Sequence, residues 1–133
     1  RYPGHIDPGE KDGFLNPPDL LPTLLELAGL SDQIPSKTEG VSCAGWLCGD
    51  ADPIRDEGYF VNPEANVRGV ANQDWLFVVI RDMHDNEQHI LYDSKNDPDQ
   101  MHNVAKEHPE IVRAMRERLT WWLYHTNDLW VQE

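Results

Sequence analysis

Two cysteines and six histidines are the side chains in this sequence best suited to hold a soft metal or serve as a nucleophile. Cys43 and Cys48 stand in C-x4-C spacing. A structural zinc site needs a second cysteine pair or histidine partners, and a redox pair needs C-x-x-C, so neither chemistry fits. The spacing predicts two buried thiols, with a disulfide to a segment outside the chain left open. His5, His84, His89, His102, His108 and His125 are scattered, and no two fall at i and i+4 on one helix. They read as solvated or capping imidazoles. Asn103 precedes Val104 as a cap of a short helix would. Tyr92, in a strand-like run, reads as a packing residue with a satisfied hydroxyl and not as a general acid.

The elements that must carry these residues change character near the middle of the chain. Pro3-Gly4, Pro8-Gly9, Gly13 and Pro17-Pro18 break up residues 1–18, which predicts a loop path. Arg1 to Gly4 reads as the tail of a strand entering a turn, as in a chain cut from something longer. A helix follows, with Asp19 as N-cap, Pro22 in the first turn and Gly29 as the left-handed stop. Its leucines leave only Thr23 and Glu26 polar, so it must pack on more than one side. In so short a chain the missing cover is expected to be another part of a larger fold. Val41 to Leu47 reads as a helical turn or two ending at Gly49, and the acidic, Pro53-bearing stretch 50–56 as a linker.

After that linker the period shortens. Gly58–Val61, Val67–Ala71, Trp75–Arg81 and His89–Tyr92 are rich in β-branched and aromatic residues, and short polar links join them, which predicts a four-stranded antiparallel meander. Pro109 and Glu110 open a final helix whose Ile111, Met115, Leu119, Trp122 and Leu123 share a face that would cover one side of that sheet. The expected division is therefore 1–50 and 51–133.

Composition excludes some partners. With 133 residues and a formal net charge of -13, the chain would be repelled at long range by duplex nucleic acid and by an anionic membrane surface. No apolar run approaches the roughly 20 residues that span a bilayer. Asp exceeds Glu and Arg exceeds Lys, which fits an acidic surface better than a high-salt adaptation.

Four phrases, in order, resemble the C-terminal part of formylglycine-dependent sulfatases of the alkaline phosphatase superfamily. They are YPGHIDPGE at 2–10, DLLPTLLELAGL at 19–30, RGVANQDWLFV at 68–78, and LYDSKNDPDQMHNVAKEHPE at 91–110. The second and fourth are the most specific. The third keeps only Arg68 of two arginines, and Leu76-Phe77 stand where Lys-Tyr is usual, departures that bear on substrate preference. The resemblance implies an α/β, alkaline phosphatase-like fold, of which this is a fragment. Residues 1–50 would end the large α/β domain, and 51–133 would form a small α+β lobe with the antiparallel sheet on its C-terminal helix.

The same resemblance implies a parent that hydrolyses sulfate esters with formylglycine and calcium or magnesium. Neither Cys43 nor Cys48 begins the Cys-x-Pro-x-Arg sequence from which formylglycine is made. The expectation is accordingly no metal and no catalytic residue in this segment, and an N-terminal catalytic part of the same protein as its partner. A sulfated small molecule or glycan would be the parent's substrate. The loop between the first two strands would line the substrate pocket, making Asn62, Asn66 and Arg68 the candidate binding residues. An Arg68 paired with an Asp on the sheet is the competing structural reading. A phosphodiesterase or phosphonate hydrolase of the same superfamily, or a non-catalytic assembly module, stands as the alternative function. Exported, periplasmic and lysosomal-type compartments are common in that family, the cytoplasm stays open, and no localisation is assigned.

Overall fold

The computed structural model describes residues 2–131; Arg1, and with it part of the expected strand tail, lies outside them. The chain folds as two compact units, residues 1–58 and 59–133.

In the first unit, Tyr2 to Ile6 form a turn in which the Ile6 N–H donates to the Tyr2 carbonyl at 2.9 Å. A 3-10 turn, Pro17–Asp19, leads into helix α1, Leu20–Leu27. Gly29 takes φ +73 and the Leu30 N–H reaches the Leu25 carbonyl, the left-handed stop that the sequence calls for. Helix α2, Ala44–Cys48, ends the same way at Gly49.

Asp19 was expected to cap α1, but its carboxylate does something else. One oxygen accepts the Asn16 N–H (3.0 Å) and Arg55 Nε (2.8 Å), while the other accepts the Val41 N–H (2.9 Å) and Arg55 Nη2 (2.9 Å). The side chain is fully buried, so it joins three separated stretches of chain instead of ending a helix. Thr23, one turn on, donates to the Asp19 carbonyl and accepts the Cys43 N–H. Gly40 completes the junction, because a Cβ there would stand 2.0 Å from the Pro18 carbonyl oxygen. Arg55 thereby ties the Pro53 stretch into the first unit.

These bonds turn α1 inside out. Its buried residues are Pro22 and Thr23, whereas Leu20, Leu21 and Leu24 remain 49, 50 and 62% exposed. Thr23 faces inward because its hydroxyl joins the Asp19 carbonyl to the Cys43 N–H, while Glu26 stays exposed.

The second unit is built on strands β1 (Glu57–Asn62), β2 (Val67–Asn72), β3 (Trp75–Arg81) and β4 (Glu87–Asp93), in the order β1-β2-β3-β4. Val70 pairs with Phe77, and Phe77 with Leu91. Helix α3, Pro109–His125, lays Met115, Leu119, Trp122 and Leu123 on that face, and these residues with Val70, Phe77, Val79 and Leu91 form the core. The sheet and its covering helix match the periodicities from which they were read.

The phrase between β4 and α3 is a chain of side-chain caps. Asp93 accepts the N–H groups of Lys95 and Asn96; Asp97 accepts those of Met101 and His102. Asn103 accepts the N–H groups of Leu91 and Ala105 and donates to the His89 carbonyl. It both caps the Val104 turn and satisfies the outer edge of β4.

Candidate functional site

Loop 62–66, between β1 and β2, is where the candidate binding residues lie. Asn62 Oδ1 accepts the Ala65 N–H at 3.2 Å, and the Asn66 N–H donates to the Pro63 carbonyl at 3.1 Å. Asn66 sits at φ 51, a left-handed conformation that asparagine tolerates better than most residues. Both asparagines are thus explained locally as turn formers. Asn66 also looks inward, donating from Nδ2 to the Arg81 carbonyl (3.0 Å) and accepting Trp130 Nε1–H at Oδ1 (2.7 Å).

Arg68 lies on the core face of β2, in line with Val70, and is 3% exposed. A guanidinium at such a position needs a counter-ion. Asp128 provides it: Arg68 Nε donates to Asp128 Oδ2 at 2.8 Å, with side-chain exposures of 4 and 10%. The partner comes from the residues after α3 and not from the sheet. Arg68 also donates from Nη1 to the Val67 carbonyl at 3.0 Å, and an anion seeking it would have to displace Asp128.

The structure brings Asn66 and Arg68 into one network, while Asn62 stays on the exposed loop. Asp128 Oδ2 also accepts the Tyr59 hydroxyl (3.0 Å), and Oδ1 accepts the Trp130 N–H (3.0 Å). The Trp130 ring then lies 4.8 Å from the Arg68 guanidinium and 4.1 Å from that of Arg81. Such contacts are worth about 0.5–2 kcal/mol each, depending on desolvation. Arg81 Nη2 bonds Glu87 Oε1 at 3.1 Å, and Arg116 bonds the same carboxylate at 2.8 Å.

Electrostatics follow the geometry. Burial pushes the Asp128 carboxyl up, but the bonds from Arg68, Trp130 and Tyr59 outweigh it and hold it below the ordinary value. Burial, reinforced by the charge of Asp128, pushes the Tyr59 hydroxyl up to about 12. For Glu87, burial is overcome by bonds from Arg116, His89 and Arg81, which bring it to about 2. Asp19 is likewise held low against burial by Arg55, Val41 and Asn16, and burial raises the Cys43 thiol. These are the signatures of structural ion pairs.

The sequence reading missed Tyr59, Asp128 and Trp130. The signal was a charged residue alternating with valine on a face destined for burial, which required a carboxylate somewhere in the chain. No periodicity says which one.

The donor set does not fit a metal centre: among the described residues no three His, Cys, Asp or Glu come together to hold an ion. Both cysteines are free, Cys43 buried and Cys48 partly so. Among the described residues no helix is long and apolar enough to cross a membrane.

Comparison with known proteins places these observations. The family model described as N-sulphoglucosamine sulphohydrolase, C-terminal, matches residues 1–123. An endo-4-O-sulfatase of Bacteroides thetaiotaomicron is 28% identical over 152 residues, covering 100% of this chain and 30% of that protein. Arylsulfatase K of Xenopus laevis is 31% identical over 127 residues, covering 86% of this chain and 23% of that protein. A Bacteroides thetaiotaomicron protein solved in work on the metabolism of multiple glycosaminoglycans superposes with a TM-score of 0.84 at 26% identity. That superposition covers 98% of this chain and 31% of the other. The chain thus spans less than a third of the length of each relative.

Proposed function

The chain belongs to the family of N-sulphoglucosamine sulphohydrolase C-terminal domains, and from that premise we propose that it serves as the C-terminal portion of a sulfuric ester hydrolase. Its role is structural and pocket-lining. The observation that carries this reading is the family match across residues 1–123. The two most family-specific phrases, moreover, turn out to be hydrogen-bond junctions: Asp19 with Thr23 in the first unit, and Asp93, Asp97 and Asn103 in the second.

On this reading the chemistry of the whole protein lies with its N-terminal catalytic part, which also covers the exposed leucines of α1. Three half-exposed leucines on one short helix are poor surface for water, and burying each adds roughly 1 kcal/mol or more. Formylglycine and calcium or magnesium belong to that partner, since the cysteines and carboxylates present here do not fit them. Loop 62–66 offers Asn62 and Asn66 to a sulfated small molecule or glycan. Arg68 acts from behind, holding Asp128 and through it Trp130, which fixes Asn66.

The test is release of inorganic sulfate from an aryl sulfate and from a sulfated saccharide by the full-length protein. Sulfate release is expected. Turnover of a phosphodiester or phosphonate ester with no sulfate release would give the reaction to the sister chemistry instead.

A further inference from the structure

We propose that the sheet face turned away from α3 docks against an apolar, uncharged surface of the N-terminal catalytic part of the same protein. This rests on the reading of the chain as the C-terminal portion of a longer enzyme and deepens it, since the exposed leucines of α1 belong to the other unit.

The sheet sorts its charges by side. Alternation along the strands puts Val70, Phe77, Val79 and Leu91 under α3 and their neighbours on the opposite face. The four charged residues of β2 to β4, Arg68, Arg81, Glu87 and Asp93, all fall on the α3 side by the same alternation. None falls on the other. There the cross-strand register sets Gly69, Val78 and Ile90 in one row and Ala71, Leu76 and Tyr92 in the next, with Ile80 extending the apolar line of β3. Phe60 of β1 leans over the same face, because a Cβ on Gly69 would stand 2.0 Å from its Cζ.

An antiparallel sheet with one wet face ordinarily alternates apolar with polar residues. Here Trp75 to Ile80 is an unbroken apolar run, as in a strand buried on both sides. The core and the residues packed on it include none of the outward side chains. Val78, Ile80, Leu76, Ile90 and Tyr92 are half-buried by one another, and Phe60 is 37% exposed. Three strands about 4.8 Å apart, rising about 3.4 Å per residue, make this a continuous patch and not a scatter of single surface residues.

The occupant follows from length and charge. The chain matches a C-terminal family model and spans 30% and 23% of two sulfatase relatives, so in such proteins the greater part lies ahead of it. A second copy is disfavoured, because two chains of net charge -13 repel at long range. A covalently attached surface needs no such encounter: linkage holds it at an effective concentration on the order of millimolar.

The experiment places a diazirine analogue of leucine at position 78, and in a second variant at position 90, of the full-length protein. The protein is irradiated and the adducts are mapped by peptide mass spectrometry. Adducts on peptides preceding residue 1 are expected from both positions, and they should be lost in denaturant. Adducts confined to residues 1–133 and water overturn the inference, as do adducts joining two copies. Absence of sulfate release by the unaltered protein would overturn the sulfatase reading instead, while the adduct map still decides what covers the sheet.

Discussion

Replacing Asp19 with Asn is the sharpest perturbation of the first unit. The substitution keeps the shape and removes the charge. Two carboxylate oxygens take four donors, at 3.0, 2.8, 2.9 and 2.9 Å, in a side chain with no exposure. An amide turns one oxygen into an NH2 group facing two of those donors, so two bonds are lost and two donors are opposed. Arg55, 21% exposed, loses its counter-ion. Breaking one side of a buried ion pair costs about 3–5 kcal/mol. Equilibrium denaturant unfolding of the full-length protein at pH 7 should show a loss in that range. The pH dependence has a definite sign. The folded Asp19 carboxyl titrates below its ordinary value of 3.8, so its contribution is present above that pH and fades as pH falls further. Asp19→Asn should lack that part of the acid limb. A loss under about 1 kcal/mol, the worth of an exposed ion pair, would refute the view that this pair joins the unit.

Other outcomes follow from the second unit and from α1. Arg68→Leu should leave the Asp128 carboxylate without its counter-ion, the Tyr59 hydroxyl still donating to it, and destabilise by about 3 kcal/mol, with faster proteolysis after Tyr124 as the direct readout. Because Tyr59 titrates near 12 in the folded protein against 10.0 ordinarily, its contribution is complete below pH 10 and is lost as pH rises toward 12; a Tyr59→Phe variant should lack this alkaline loss in unfolding scans. Leu24→Ala in the full-length protein should cost about 2 kcal/mol or more by denaturant unfolding if α1 is covered there, whereas a change within about 0.5 kcal/mol would mean the leucine faces water.

Much of the second unit was legible because its signals are periodic. Val70, Phe77, Val79 and Leu91 alternate along strands, and Met115, Leu119, Trp122 and Leu123 recur at helical spacing, so sheet, helix and shared face follow from sequence. The first unit was legible only in part. Gly29 and Gly49 announced their helix ends, yet the inward-facing side of α1 proved to be Pro22 and Thr23, because long-range bonds to Val41, Cys43 and Arg55 outrank hydrophobic patterning there. Asn62 and Asn66 are candidates by their place in the loop between the first two strands, and the structure also gives them turn chemistry. Arg68 was chosen for its charge, and its burial against Asp128, 60 residues away in sequence, left no local trace.

The account stands most directly on one comparison: sulfate released from a sulfated saccharide by the full-length protein, supplied with calcium or magnesium, and by residues 1–133 alone. Release by the first and none above the uncatalysed rate by the second is the predicted result. Turnover by the isolated segment, or its absence from the full-length protein, would contradict it.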